Sequence, residues 1–334
     1  MNTTASSSLH STSTPVSDQP RSARNQPQID ATTRIHPTGE RALVLGGGGS
    51  TGNAWLIGVI AGLVEAGLDV TTADLTIGTS AGSTAAAQLA GATPADLFTA
   101  ILAAAPMRQG DPVGSSRGRA PNGQVATHME RTGNIIAASE DAADMRRKMG
   151  ASALELDASF DDSRQKQWRA TVGSRLPSED WPQRTMLITA VDAQTGSPVV
   201  FHRDSGVDLV DAVAASCASG FAYGIGDHRY IDGGYRSNAE NADLAAGFAR
   251  VLVLSPFGGR TRTPVEWGLD LATQLDELRA GGSRVETIFP DSEAEYMFGT
   301  NAMDLSLRPP AAQAGFDQGR SLAAQLKEFW GLGG

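Results

Sequence analysis

The sequence contains a single cysteine, Cys217, so an internal disulfide and a metal site built from several cysteines are both excluded. No apolar run approaches the roughly 18 residues of a membrane-spanning helix. Residues 1–20 also lack the apolar segment of a secretory signal peptide. From these absences we expect a soluble, cytoplasmic protein whose membrane contact is peripheral at most.

Positive charge is scarce as well. The 334 residues carry 27 lysines and arginines against 37 aspartates and glutamates, which gives a net charge of −10 at pH 7. This balance disfavours binding to nucleic acid and strong electrostatic binding to anionic lipid. Hydrophobic residues make up 40% of the chain, which with its many glycines is typical of a globular protein. The sequence does not indicate an oligomeric state.

Residues 1–37 are rich in Ser, Thr, Pro and Gln and have almost no large apolar side chains to bury, so we expect a disordered arm. One domain is expected over residues 38–334, in which short apolar strands alternate with helices. This alternation predicts an α/β fold of three layers, with a mostly parallel central sheet and helices on both faces.

A polar stretch at about 107–183 interrupts the alternation and is predicted to be a helical insertion or cap. Its scattered apolar residues are expected to form the core of the cap, and an acyl channel is the alternative. They are Met107, Val113, Met129, Ile135, Ile136, Met145, Met149, Leu154 and Leu156. The sequence does not say whether this stretch acts as a lid.

The domain opens with a buried strand at 41–46, a glycine-rich turn and a helical pattern at 53–67. The turn, GGGGSTG at 46–52, contains the G-x-G-x-x-G spacing of a dinucleotide site. Such a site needs an acidic residue at the end of the second strand, but Asp69 and Asp74 both precede that strand. The alternative is that the glycine N–H groups hold a different anion at the helix N-terminus.

The second strand–helix turn contains Gly78-Thr79-Ser80-Ala81-Gly82, which matches G-x-S-x-G. A strand precedes it and a small-residue helix at 81–92 follows, which is the context of a nucleophile elbow. The alternative is a turn of small residues without chemistry. Because the carboxyl ends of parallel strands share one edge of the sheet, Ser80 is expected beside the glycine-rich turn.

A nucleophilic serine needs a base. The histidines are His10, His36, His128, His202 and His228. None lies in about the last hundred residues, where the usual α/β-hydrolase order of Ser, then Asp or Glu, then His requires one. His202 and His228 are interpreted as polar strand or loop residues. Asp232 is the other candidate, since it ends an apolar strand and begins the sequence DGGYRS. Apolar surroundings would raise its pKa towards the range of a general base, although Asp-Gly-Gly is also a common turn.

Taken in order, G-G-G-G-x-x-G, G-T-S-A-G-S and D-G-G resemble the motifs of the patatin-like phospholipase family, in particular a bacterial subgroup. The resemblance spans about residues 40–334, although 107–183 carries none of the motifs. It implies a patatin-like acyl hydrolase fold with Ser80 as nucleophile and Asp232 as general base. It also implies an oxyanion hole of the backbone amides of Gly47, Gly48 and Gly49, supported by Gly46, Gly52, Gly78, Gly82, Gly233 and Gly234.

Two positions depart from the family pattern. Thr51 stands where many members have a basic residue, so contact with a headgroup phosphate is left open. Gly220 stands where many members have proline, after the Ala-Ser segment 214–218 that the family also has.

The expected activity is a serine acyl hydrolase that cleaves carboxylic esters of lipids through an acyl-enzyme, with a lipid or acyl ester as its binding partner. The alternatives are an acyltransferase or small-ester esterase on the same dyad, a nucleotide-binding protein, and an inactive lipid-binding module. No cofactor or metal is implied. The acidic residues Asp141, Asp144, Asp161 and Asp162 lack EF-hand spacing and are interpreted as solvated surface.

Overall fold

A computed structural model describes residues 39–104, 121–157 and 162–331 of the chain. The predicted arm at 1–37 lies outside the described residues, as do Met107 and Val113 of the predicted insertion.

Over the described residues, eight strands form one sheet. They are β1 (Arg41–Leu45), β2 (Leu75–Gly78), β3 (Thr185–Asp192), β4 (Pro198–Phe201), β5 (Tyr223–Ile225), β6 (His228–Asp232), β7 (Arg250–Leu254) and β8 (Arg284–Ile288). The α-helices of the same residues are α1 (Gly49–Glu65), α2 (Ala81–Gly91), α3 (Pro94–Ala103), α4 (Pro121–Ala137), α5 (Ala142–Asp157), α6 (Asp162–Gly173), α7 (Leu209–Ser216), α8 (Leu271–Ala280) and α9 (Arg308–Trp330).

The sheet has the order β5-β6-β3-β2-β1-β7-β8, and β4 pairs with β3 outside this path. β3, β2, β1, β7 and β8 run parallel to one another, whereas β4, β5 and β6 are antiparallel to their neighbours. The prediction of a mostly parallel α/β sheet is therefore confirmed. The antiparallel strands lie beside β3, at the edge of the sheet from which Asp232 comes.

The two faces of the sheet are covered by separate hydrophobic clusters, which gives the three predicted layers. Side chains alternate along β1, so that Leu43 and Leu45 join the larger cluster with α1, α7 and α9. Ala42 and Val44 point to the opposite face and pack in a second cluster with α8. Both faces of the central strands are buried, and this explains why β1 reads as a continuous apolar run.

The closest packing between helices joins α1 to α9. Cβ atoms added at Gly58 and Gly62 would overlap the carbonyl oxygens of Ala312 and Phe316, so only glycine permits this approach. The spacing of the two glycines, one turn apart, predicts such packing from the sequence. For the partner helix, the sequence has an apolar helical pattern only over 321–331, which predicts a shorter helix than the structure shows. α9 instead begins at Arg308, and its first half is rich in the small residues that pack on α1.

The helices of the predicted insertion pack on the same sheet. Met145 and Met149 of α5 are buried against Val191 of β3 and Ile231 of β6. Trp168 of α6 donates its indole N–H to the Ala214 carbonyl oxygen at 3.1 Å. Met145 and Met149 are therefore part of a core that they share with the central sheet, and not of a separate core within the insertion.

Candidate active site

Ser80 lies two residues after the end of β2 and is the residue before the first turn of α2. Its φ of 51° and ψ of −116° are unusual for a residue with a side chain, and such a conformation costs about 1–3 kcal/mol. The Ser80 N–H donates to Ser216 Oγ at 2.9 Å, and Ser83 Oγ donates to the Ser80 carbonyl at 2.6 Å. These bonds hold a sharp turn, which is the geometry predicted from G-x-S-x-G.

The glycines that flank Ser80 are required by close backbone packing. A Cβ at Gly82 would overlap the Leu45 carbonyl, and one at Gly78 would lie 2.6 Å from Ser83 Cα. The remaining predicted motif glycines lie in the two turns that adjoin Ser80: Gly46 and Gly52 on either side of the α1 N-terminus, Gly233 and Gly234 directly after β6.

Asp232 is placed opposite Ser80 by the register of three strands. Gly78 at the end of β2 pairs with Ile188 of β3, and Asp232 at the end of β6 pairs with Ala190 of β3. The residue two positions beyond Gly78 is therefore level with Asp232 across β3. Ser80 Oγ donates to Asp232 Oδ2 at 2.9 Å.

The Asp232 carboxyl group is buried, with 7% of the residue exposed. Burial raises the pKa of Asp232 to about 6, and hydrogen bonds to the carboxylate from Gly234 N–H and Ser80 Oγ oppose that rise. The Gly234 N–H lies 2.8 Å from Oδ1, so each carboxylate oxygen has one donor. At neutral pH the group is an anion whose pKa lies close to the useful range for a base.

The glycine-rich turn lies beside Ser80, since a Cβ built on Gly47 would be 3.5 Å from Ser80 Cβ. The Gly47 N–H donates to the Ala239 carbonyl at 2.8 Å, so Gly47 is not a free donor, contrary to the prediction. Gly48 and Gly49 begin α1, and their N–H groups have no acceptor among the described residues. The donors that remain for an anion are therefore at the α1 N-terminus.

Thr51 has a structural role in the same turn. It is fully buried, its Oγ1 donates to the Met297 carbonyl at 2.9 Å, and its N–H donates to the Ala302 carbonyl at 3.0 Å. These bonds attach the first turn of α1 to the segment that precedes α9. A long basic side chain at this position would not find the same space.

Asn241 connects the two turns that carry Ser80 and Asp232, and it was not identified from the sequence. It is fully buried and has a φ of 53°. Its Nδ2 donates to Thr79 Oγ1 at 3.0 Å and to the Gly233 carbonyl at 3.0 Å. One amide thus ties the residue before Ser80 to the residue after Asp232. An asparagine with positive φ has no sequence signature apart from its residue type.

His128 of α4 also approaches the Asp232 turn. Its Nε2 lies 3.1 Å from Ser219 Oγ and 3.2 Å from the hydroxyl of Tyr235. Arg131 Nη2 donates to the other ring nitrogen, Nδ1, at 3.2 Å, so the neutral ring carries its proton on Nε2. Burial, together with the charges of Arg131 and Arg262, lowers the pKa of His128 to about 4.

The position of His128 explains the second departure from the family pattern. Gly220 has a φ of 87°, which proline cannot adopt. A Cβ at Gly220 would lie 3.0 Å from His128 Nδ1. Glycine therefore allows α4 to pack against this loop.

The other histidines lie away from the pair of Ser80 and Asp232. His202 follows β4 and His228 begins β6, with its Nδ1 3.4 Å from Asp192 Oδ2. Both are strand or loop residues, as predicted, and His10 and His36 lie outside the described residues.

Over residues 39–104, 121–157 and 162–331, no three His, Cys, Asp or Glu side chains are grouped closely enough to bind a metal ion. Asp144 is paired with Lys148 at 2.7 Å, and Asp161 lies outside the described residues. Within the same ranges, no helix combines the length and the apolarity that crossing a bilayer would require.

Ser80 lies on a strained strand–helix turn and is hydrogen-bonded to the buried Asp232 in an α/β sheet, an arrangement typical of acyl hydrolases. A family model described as patatin-like phospholipase matches residues 43–243, more than half of the chain. The chain therefore belongs to the patatin-like phospholipase family, and it is a lipid acyl hydrolase.

Solved structures were compared as well. VipD from Legionella pneumophila is 13% identical with a TM-score of 0.39, and the match covers 86% of this chain and 67% of VipD. The type III effector protein ExoU is 14% identical with a TM-score of 0.28, and the match covers 85% of this chain and 54% of ExoU. A search of curated protein sequences finds no significant match.

Proposed function

We propose that this enzyme hydrolyses carboxylic esters of lipids, with Ser80 as the nucleophile and Asp232 as the general base. The observation that carries the proposal is the 2.9 Å hydrogen bond from Ser80 Oγ to Asp232 Oδ2, made by a serine in a strained backbone conformation. A nucleophile and a base within hydrogen-bond distance are the minimum that serine acyl chemistry requires.

In the acylation step, Ser80 Oγ attacks the ester carbonyl carbon while its proton passes to Asp232 Oδ2. The tetrahedral oxyanion accepts hydrogen bonds from the free N–H groups of Gly48 and Gly49, and the positive end of the α1 dipole stabilises it further. The C–O bond to the alcohol then breaks, and Asp232 returns the proton to the departing oxygen. Ser80 is left as an acyl ester.

In the deacylation step, a water molecule gives a proton to Asp232 and attacks the acyl carbonyl. The second tetrahedral intermediate uses the same donors, and its collapse releases the fatty acid while Ser80 Oγ takes the proton back from Asp232. The Gly234 N–H on Oδ1 keeps the carboxylate oriented, so that Oδ2 faces Ser80 throughout.

The test combines a fluorophosphonate probe with hydrolysis of p-nitrophenyl esters of increasing chain length. Wild-type protein is expected to be labelled and active, Ser80→Ala to be neither, and Asp232→Asn to lose activity by at least about 10³-fold. Ser216→Ala, which keeps both reacting groups, serves as a comparison variant with a smaller loss. Wild-type protein that resists the probe and hydrolyses no ester would contradict the proposal. Product analysis with added alcohols separates hydrolysis from acyl transfer on the same dyad.

A further inference from the structure

Arg308, the first residue of α9, reaches the first turn of α1 beside the glycine-rich turn. Its Nη1 donates to the Ser50 carbonyl at 2.8 Å and lies 3.1 Å from Ser50 Oγ, and its Nη2 donates to Asn53 Oδ1 at 3.3 Å. These contacts fix a guanidinium group one turn from Gly48 and Gly49, the donors proposed for the oxyanion. They leave other N–H groups of the guanidinium available to a ligand.

In the part of the chain that the structure describes, the Arg308 guanidinium has no carboxylate counter-ion. Among the described residues, no carboxylate lies within 4.0 Å of the guanidinium of Arg308 or of Arg175. Burial lowers the pKa of Arg308, and the charge of Arg175 lowers it further, so two like charges lie near each other. By contrast, the buried Arg236 is paired with Asp243 at 2.9 Å. Arg308 is half-buried and Arg175 is exposed, so the cost of lacking an anion falls on Arg308, and an anionic ligand would offset it.

A polar path connects the two arginines to Ser80. Thr84 and Gln88 follow Ser80 at intervals of four residues on α2, and therefore lie on the same side of the helix. Asn53 Nδ2 donates to Gln88 Oε1 at 2.9 Å, and Gln88 Nε2 donates to the Arg175 carbonyl at 3.1 Å.

The charge of Arg175 also acts near the turn that carries Ser80. Cys217, whose Sγ donates to the Ser80 carbonyl at 3.2 Å, has a thiol pKa that burial raises to about 11 and that the charge of Arg175 lowers slightly. The site thus extends from Ser80 along α2 to a positively charged rim.

We propose that Arg308 and Arg175 bind the phosphate group of a glycerophospholipid whose ester carbonyl lies at Ser80. The inference rests on the proposed function and names its substrate class. A planar guanidinium binds two phosphate oxygens at once, and a second arginine matches the charge of a phosphate diester or monoester. Within the glycine-rich turn, the Thr51 hydroxyl is committed to the Met297 carbonyl, and the cation beside this turn comes from α9.

The test compares a phospholipid with a diacylglycerol that has the same acyl chains, both in the same uncharged detergent micelles. Arg308→Gln and Arg175→Gln are expected to lower kcat/KM for the phospholipid by about 10- to 100-fold and to change the diacylglycerol value by less than about threefold. Arg308→Lys keeps the positive charge but lacks the planar guanidinium that binds two oxygens at once, and it is expected to recover part of the loss. Arg320→Gln, an exposed position on the same helix, is the control and should affect neither substrate.

An equal loss on both substrates would overturn the proposal, because it would mean that Arg308 only supports the α1 turn. No loss on the phospholipid would overturn it as well. Arg175 is exposed, so Arg175→Gln gives an answer even if Arg308→Gln does not fold.

Binding separates this proposal from the proposed function. Ser80→Ala protein is titrated with a soluble short-chain phosphatidylcholine, the matching diacylglycerol and inorganic phosphate. In one outcome, wild-type protein hydrolyses no ester, yet the phospholipid binds the Ser80→Ala variant, and adding Arg175→Gln to that variant weakens binding about tenfold. The phosphate site then stands while the hydrolase proposal fails. Equal affinity of the phospholipid for Ser80→Ala with and without Arg175→Gln overturns the phosphate site. Inorganic phosphate that binds as tightly as the phospholipid overturns the lipid headgroup as its ligand.

Discussion

Ser80 Oγ and Asp232 Oδ2 are 2.9 Å apart, although 152 positions separate the two residues in the chain. Two parallel pairings bring Ser80 to the edge of the sheet, and one antiparallel pairing returns Asp232 to the same level across β3. The contact is therefore set by the register of β2 and β6 on their common neighbour β3.

The pH dependence of kcat/KM follows from the buried state of Asp232. Because burial raises its pKa to about 6, the base is protonated and inactive in more acidic solution. We expect kcat/KM to be constant at neutral pH and to fall about tenfold per pH unit below about 6. The measurement is ester hydrolysis with a neutral substrate from about pH 4.5 to about pH 8.

Unfolding is not the expected cause of that loss. The folded chain binds a proton at Asp232 more readily than the unfolded chain, whose aspartate has the ordinary lower pKa. Protonation of Asp232 between about pH 6 and about pH 4 therefore adds to the free energy of unfolding. Circular dichroism over the same range is the control. Activity that stays constant down to about pH 4 would show that Asp232 is not the base.

The strained backbone at Ser80 predicts that glycine at this position gives a more stable protein than alanine, the reverse of the usual order in a helix. Ser80→Ala keeps the unfavourable φ of 51° and loses the bond to Asp232, whereas Ser80→Gly loses the same bond and relieves the strain. We expect Ser80→Gly to be more stable than Ser80→Ala by about 1–2 kcal/mol in urea unfolding, and both to be inactive. The matched pair is Ser83→Gly and Ser83→Ala in α2, where glycine should be the less stable by about 1 kcal/mol. The same order at both positions would show that the turn is not strained.

The turns that carry the chemistry could be predicted because each has a local cause. Ser80 is flanked by a short apolar strand and a small-residue helix, and Asp232 ends an apolar strand before two glycines. Such patterns are contained in fewer than about ten residues, where hydrophobic periodicity and turn chemistry are readable. The alternation of these units also gave the α/β class.

The residues that complete the site could not be predicted, because distant segments supply their partners. The acceptor for Gly47 N–H is Ala239, and the donor to Ser50 is Arg308, 258 positions away. Neither Ala239 nor Arg308 belongs to a motif. α9 was predicted too short for a related reason, since Gly315 packs directly on the backbone of α1 and contributes no apolar side chain to a helical pattern.

Gly47 and Gly48 are expected to respond differently to alanine. A Cβ at Gly48 would lie 2.6 Å from Pro256 Cβ and 2.8 Å from Gly52 Cα, so the first turn of α1 must shift. We expect Gly48→Ala to lose about 1–3 kcal/mol of stability and about 10²- to 10³-fold in kcat, because the free donors move with the turn.

Gly47→Ala is the matched control for folding. Its Cβ would make ordinary contacts, 3.5 Å from Ser80 Cβ and 3.6 Å from Ala239 Cβ, and we expect a wild-type melting temperature. Fluorophosphonate labelling rates measured beside thermal unfolding separate the two effects. A stable and fully active Gly48→Ala variant would contradict the assignment of the oxyanion donors to the start of α1.

His128 is expected to hold α4 against the turn that follows Asp232. Its neutral ring contacts Ser219 and Tyr235, and replacing it by alanine removes this partner from the half-buried Tyr235 hydroxyl and the exposed Ser219 hydroxyl. We expect His128→Ala to lose about 1–2 kcal/mol of stability and to increase hydrogen exchange in α4, while exchange in α8 is unchanged. Hydrogen exchange followed by mass spectrometry measures both helices in one experiment.

His202→Ala is the control for loss of a half-buried histidine elsewhere, and it should leave exchange in α4 unaltered. Acid provides an independent check on the same contact. Because the pKa of His128 is lowered to about 4, the unfolded chain binds a proton at this position between about pH 6.5 and about pH 4 while the folded chain does not. Wild-type protein should therefore lose stability over that interval relative to His128→Ala. A constant difference between the two proteins across the interval would mean that the ring is not held neutral, and that His128 does not tie α4 to the Asp232 turn through the bonds described.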